Sequence, residues 1–213
     1  VYTFKLKENI LFSDGTPITA SDFKWSLERA AHPDTESPVA SIYLEDIVGS
    51  MEVIDGDGSI TDISGIKVID DNTLQLTIDA PKAYFLAKLT YPTAYVVKKE
   101  NVEQGGDNWT DSPVGTGPFI LSEYSIGEVL VIRRNDNYWG EKAKLDGVEF
   151  NLAGGVAMAM YENDEIDITG VGLADLERVK DVNDPLNNDL VSVPPSFTVT
   201  YIGFNVNEPP FDD

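Results

Sequence analysis

No cysteine occurs in the 213 residues, so the chain has no disulfide, no thiolate nucleophile and no cysteine zinc site. Histidine is nearly as scarce. His32 stands alone, and a metal centre or a serine–histidine relay needs more convergent partners than one ring. Positive charge is also short, with 15 basic residues against 37 acidic ones and a net charge of −22. A chain so charged repels nucleic acid and anionic membrane surfaces. No apolar run approaches the roughly 18–20 residues that span a bilayer. There is no initiator Met or signal peptide at Val1, and Phe211-Asp212-Asp213 follows directly on a Pro-Pro turn. An internal piece of a longer protein is therefore expected, as either one large domain or two smaller ones.

What is present reads as a mixed α/β chain. Tyr2, Phe4 and Leu6 alternate with Thr3, Lys5 and Lys7, the period of a half-buried strand. Ser13-Asp14-Gly15-Thr16-Pro17 is a turn, and Thr19 with Asp22 three residues on caps a helix through Phe23–Ala31 that Pro33 ends. A helical or mixed stretch follows from Ile42 to Ile54. Ile66–Ile69 and Thr73–Ile78 are strands around Asp70-Asp71-Asn72, and Ala83–Leu89 is a short helix. Phe119–Tyr124 and Val129–Arg133 form a hairpin across Ser125–Glu128. Beyond it come a strand at Val148–Leu152, a flexible break at Gly154-Gly155, and helices at Ala157–Tyr161 and Leu173–Val179. Strands are expected at Val191–Val193 and Phe197–Phe204. Trp25 and Trp139 read as core residues.

The motifs that could carry chemistry fall to plainer readings. Gly115-Thr116-Gly117 lacks the third glycine of a dinucleotide loop, since position 120 is Ile120, and no Gly-Lys-Ser/Thr occurs. Asp55-Gly56-Asp57-Gly58-Ser59 resembles a calcium loop, yet Val53 and Ser64 stand where its first and twelfth ligands belong, so it reads as a solvated turn. His32, beside Pro33, suits a surface position at a helix C-terminus. No carboxylate pair stands in a recognisable hydrolytic setting and no G-x-S-x-G occurs. Two other classes stay open at this point: a carboxylate-dependent hydrolase and a calcium-dependent surface module.

Four motifs in order carry a resemblance. They are F-x-DGTP-x-TA-x-D from Phe12 to Asp22, with Ser37-Pro38-Val39-Ala40-Ser41 after it, and GTGPF followed by a hairpin and RxNxxYWG up to Gly140. Glu165-Ile166-Asp167 is like a recurrent G-E-I-D with Asp164 in place of glycine, and Phe204–Asp213 is like F-N-x-x-x-P-P-F-x-D. Together they resemble the extracytoplasmic solute-binding proteins of peptide-type ABC importers, family 5, along essentially the whole chain.

That resemblance implies a periplasmic-binding-protein-like type II fold, in part, with mixed sheets and hairpins. Residues 1–97 would belong to the small accessory domain and 98–213 to the first ligand-binding lobe, the second lobe being absent. It implies a monomeric, non-enzymatic protein without a cofactor, in the periplasm or as a cell-surface lipoprotein, handing peptides or another small solute to membrane permease subunits. The residues it places at the ligand are Val39, Gly170, Val171, Gly172, Ser196, Phe197, Thr198 and Tyr201. Oligopeptide-binding relatives often carry tyrosines at several of these positions, and here only Tyr201 is one. A nickel chelate, an opine or a sugar therefore stands beside peptide as ligand.

Overall fold

The alternation at the start makes a strand with one buried face. The computed structural model, which describes residues 1–194, 196 and 198–211, places β1 at Tyr2–Lys5. Helix α1, Ala20–Ala31, begins at the expected cap: the Asp22 carboxylate accepts from the Thr19 N–H at 2.7 Å and from its hydroxyl at 2.9 Å. The mixed stretch resolves into two one-turn helices, α2 at Ala40–Leu44 and α3 at Ser50–Ile54. Strands β2, Ile66–Asp70, and β3, Thr73–Leu76, turn through Asp71-Asn72. The order is β1-β3-β2, antiparallel throughout, with Tyr2 and Ile66 both opposite Leu76. Then come α4, Phe85–Lys88, and α5, Lys99–Gly105. The second sheet is the hairpin β4, Phe119–Ser125, and β5, Val129–Arg134, extended by β6, Gly147–Asn151.

Contacts divide the chain into two compact units, Val1–Gly154 and Gly155–Asp213. The break falls on the glycine pair, whose φ angles of 83° and 127° suit glycine alone. The expected passage near Val97 lies inside the first unit, where the Val97 N–H donates to the buried Ser26 hydroxyl of α1 at 3.0 Å.

The second unit holds α6, Ala157–Glu162, and α7, Leu173–Lys180, followed by a 3-10 turn at Pro185–Asp189. The strands expected at Val191–Val193 and over the described part of Phe197–Phe204 do not form, and Phe197 itself lies outside the described residues. Their apolar side chains are open to solvent, Val191 at 81% and Ile202 at 82%. A β-prone run becomes a strand only when a partner takes up its backbone groups, and no described segment does so here.

The core of the first unit lies between α1 and the β1-β3-β2 sheet, where Leu27, Leu44, Ile47, Ile66, Leu76 and Phe85 are buried. Complete burial of Phe85 alone is worth about 2–3 kcal/mol. Trp25 is only half-buried and Trp139 is 45% exposed, which corrects the expectation that both are core. Trp139 follows a turn, and its ring carries the Lys7 ammonium 4.1 Å from the centroid, a contact that leaves one edge in water.

One buried charge fastens this core. Asp46, with no exposed surface, takes the Lys82 ammonium on one carboxylate oxygen at 2.5 Å and that of Lys88 on the other at 2.9 Å. Asp79 and Glu45, each at 2.9 Å, complete the partnership of the two lysines. The cluster pins the α4 segment to the loop between α2 and α3. Burial alone would raise the Asp46 carboxyl, but the two ammonium groups outweigh it and hold the group below its usual range.

Asp46→Asn is expected to cost about 3 kcal/mol, because it leaves two lysines facing a buried amide; urea midpoints at unchanged m-value measure this. The lowered carboxyl contributes stability above the unfolded value of about 4, and loses it as pH falls through the folded value. Wild-type stability should therefore fall more steeply than that of the variant below about pH 4.

Candidate functional site

Three turns that carry the strongest motifs come together in the first unit. The Ser13 N–H donates to the Gly115 carbonyl at 2.8 Å, and the Asn137 amide reaches the Ser13 carbonyl at 3.4 Å. Asn135, 1% exposed, donates from its side chain to the Gly117 carbonyl at 2.8 Å and from its backbone to the Pro118 carbonyl at 2.9 Å. Its side-chain oxygen accepts the Asn137 N–H at 2.9 Å. Every polar group of this buried amide thus has a partner.

Lys98 closes the same junction by pairing with Asp14 and Thr16. Burial would raise the Asp14 carboxyl, but the Lys98 ammonium and the Thr16 hydroxyl and N–H lower it to about 2. The DGTP, GTGPF and RxNxxYWG motifs are therefore fasteners. Of their glycines, Gly15 has a φ of 85°.

Val39, the ligand position expected in the first unit, is the half-buried residue before α2, and its carbonyl accepts from the Ile42 and Tyr43 N–H groups at 3.0 and 3.2 Å. One turn on, the Tyr43 ring stacks on Tyr91 with centroids 3.7 Å apart and planes at 8°. Sequence reasoning passed over this aromatic platform. Tyr43 lies four residues after Val39, which was a usable signal, but Tyr91 is remote in sequence.

The remaining expected positions lie in the second unit. Gly170, Val171 and Gly172 form the exposed approach to α7, where Gly172 is the capping residue and its carbonyl accepts the Asp175 N–H at 3.1 Å. A Cβ placed on Gly170 or Gly172 would meet no atom within 4 Å, so the missing side chains leave open space. The G-E-I-D segment before them is not a strand; it enters through Asp164 at φ 57°. That left-handed geometry is unstrained for glycine and tolerated by aspartate. Ser196 and Thr198 touch through their hydroxyls at 2.8 Å, Tyr201 is 83% exposed, and Phe197 lies outside the described residues. Arg178 ties the two helices of this unit, pairing with Glu162 on α6 and with Asp175 at 3.3 Å on α7.

The other singled-out residues have structural roles. His32 caps α1, and its Nε2 lies 3.3 Å from the Gly58 carbonyl, so the ring tethers the Asp55–Ser59 turn. Among the described residues no three His, Asp or Glu side chains come together to hold a metal ion, and no helix is long and apolar enough to cross a membrane.

The family description "Bacterial extracellular solute-binding proteins, family 5 Middle" matches residues 1–213. The chain is 34% identical to the periplasmic oligopeptide-binding protein OppA of Escherichia coli K12, over all of its own length and 40% of that protein's. It thus spans about 40% of the curated relatives it matches. Among solved structures it resembles the E. coli murein tripeptide binding protein MppA, with a TM-score of 0.77 at 32% identity, covering 86% of this chain and 37% of that one. It also resembles Listeria monocytogenes OppA bound to peptide, with a TM-score of 0.77 at 26% identity and the same coverage of both chains. These likenesses make the fold that of the type II periplasmic binding proteins, represented in part.

Two outcomes follow from the site geometry. Asp14→Asn should loosen the junction, read as faster amide exchange at Ser13, whose N–H bonds Gly115; unchanged exchange would deny Asp14 that role. Gly170→Tyr should shift stability by no more than about 0.5 kcal/mol in thermal unfolding, since the added ring enters open space.

Proposed function

The chain belongs to the bacterial extracellular solute-binding proteins of family 5, and from that membership we propose that the whole protein captures peptides outside the cytoplasm and delivers them to the membrane permease of an ABC importer. The observation that carries this reading is the match along the entire chain to an oligopeptide-binding protein at 34% identity. In it, residues 1–97 are part of the accessory domain and 98–213 part of the first ligand-binding lobe. The protein works by binding and release, without catalysis and without a cofactor, as a monomer at the cell surface or in the periplasm. Its net charge of −22 makes nucleic acid a poor partner.

Capture in such a protein is a shift between open and closed lobes that ligand biases toward closure. An extended peptide held by main-chain hydrogen bonds, as an added strand is held, leaves side-chain identity free. In this reading Val39, Gly170, Val171, Gly172, Ser196, Phe197, Thr198 and Tyr201 face the ligand. The open space at Gly170 and Gly172 then accommodates bulky peptide side chains, where tyrosines would fill it. The same departure favours a second reading, a larger non-peptide solute in the same cleft.

Thermal shifts of the intact protein against a peptide library, with mass spectrometry of any co-purified small molecule, test the proposal. Peptides should raise the melting temperature, by the equivalent of about 2.7 kcal/mol at a hundredfold excess over Kd. Gly170→Tyr should then bind peptides with small side chains and reject bulky ones. Shifts with nickel chelates, opines or sugars, and none with any peptide, would replace the first reading by the second.

A further inference from the structure

Beside the core of the first unit lies an open apolar hollow of about 350 Å³, within the ~300–1,000 Å³ of small-molecule sites. Phe4 and Leu6 of the β1 segment, Phe23 of α1, Leu89 after α4 and the 45% exposed Trp139 line it. None of these is among the residues assigned above to the ligand. Two lysines, Lys5 and Lys7, also line the hollow, and Lys7 is the one that stands at the Trp139 ring. The Lys7 ammonium stands 4.1 Å from the indole centroid, and Lys7 has no carboxylate partner among the described residues. In a chain with 37 acids and 15 bases, a cation left unpaired beside an apolar hollow is a marked local reversal of charge.

A cation over an indole keeps the rest of its hydration shell, so it can accept an anion without first losing a partner. Apolar walls offer nothing to a polar molecule but reward a hydrocarbon chain in proportion to the area buried. The chemistry that fits both is an amphipathic monoanion. We propose that the hollow is a second site, separate from the peptide cleft, for an aliphatic carboxylate of fatty-acid type. The chain would lie against Phe4, Leu6, Phe23 and Leu89, and the carboxylate on Lys7 at the edge of Trp139.

Calorimetric titration of the intact protein with decanoate, and separately with decanol, both below micelle-forming concentrations, tests this. Decanoate should bind at one saturable site, and peptides should not compete with it. Lys7→Gln should weaken decanoate roughly tenfold, the worth of one charge-assisted contact, and leave decanol unchanged. Ala94→Trp, at a residue that lines the hollow, should fill it and abolish binding of both; Leu89→Phe serves if that variant unfolds. Equal affinity for the acid and the alcohol with a silent Lys7→Gln would overturn the anion assignment. Binding that survives both filling variants would place the site elsewhere, and no saturable binding would overturn the site itself. Peptide capture could fail or hold independently of all these outcomes.

Discussion

A buried amide at Asn135 is the constraint on which the arrangement of the first unit rests. An interior amide must find a partner for each donor and acceptor, at a cost of about 1–3 kcal/mol for each one left over. Asn135 meets that demand only when the turn at Gly117-Pro118 and the turn at Asn137 are both in place. The second of these reaches back to Ser13, and Ser13 in turn to Gly115. The start of the chain and the hairpin more than a hundred residues later are thus closed on each other. Lys98 and Asp14 add a charged fastening at the rim, where water screens it and its share is correspondingly smaller.

The other half of this unit depends on a different solution to the same problem. Asp46 is buried without a dense amide network, and two lysines from one later segment neutralise it. Their long stems let the ammonium groups stay partly in water while their partner is dry, which moderates the desolvation cost that a fully buried pair bears. The arrangement sets the position of α4 and its Phe85 against the sheet, and beside it the stacked Tyr43 and Tyr91 rings.

The second unit is organised more sparingly. Among the described residues, two short helices joined through Arg178 carry it, Val179 and Met158 are its buried apolar side chains, and its last stretch pairs in no ladder. Most of the expected ligand positions lie there, on exposed backbone with open space beside two glycines.

Local features were legible in the residues alone: the period-2 run of β1, the Thr19–Asp22 cap of α1, the hairpins, the break at Gly154-Gly155, and the four motifs that mark the family. Each depends on residues a few positions apart, whose dihedral preferences and hydrogen bonds need no distant partner. Which side chains are covered was set by the folded packing. It left Trp139 in water under Lys7, buried Asp46 between lysines 36 and 42 positions away, joined the DGTP turn to Gly115, and gave Val191–Val193 and 198–204 no strand partner among the described residues. Burial and strand pairing are properties of what lies across the gap, and a residue's own neighbours in sequence carry no record of that.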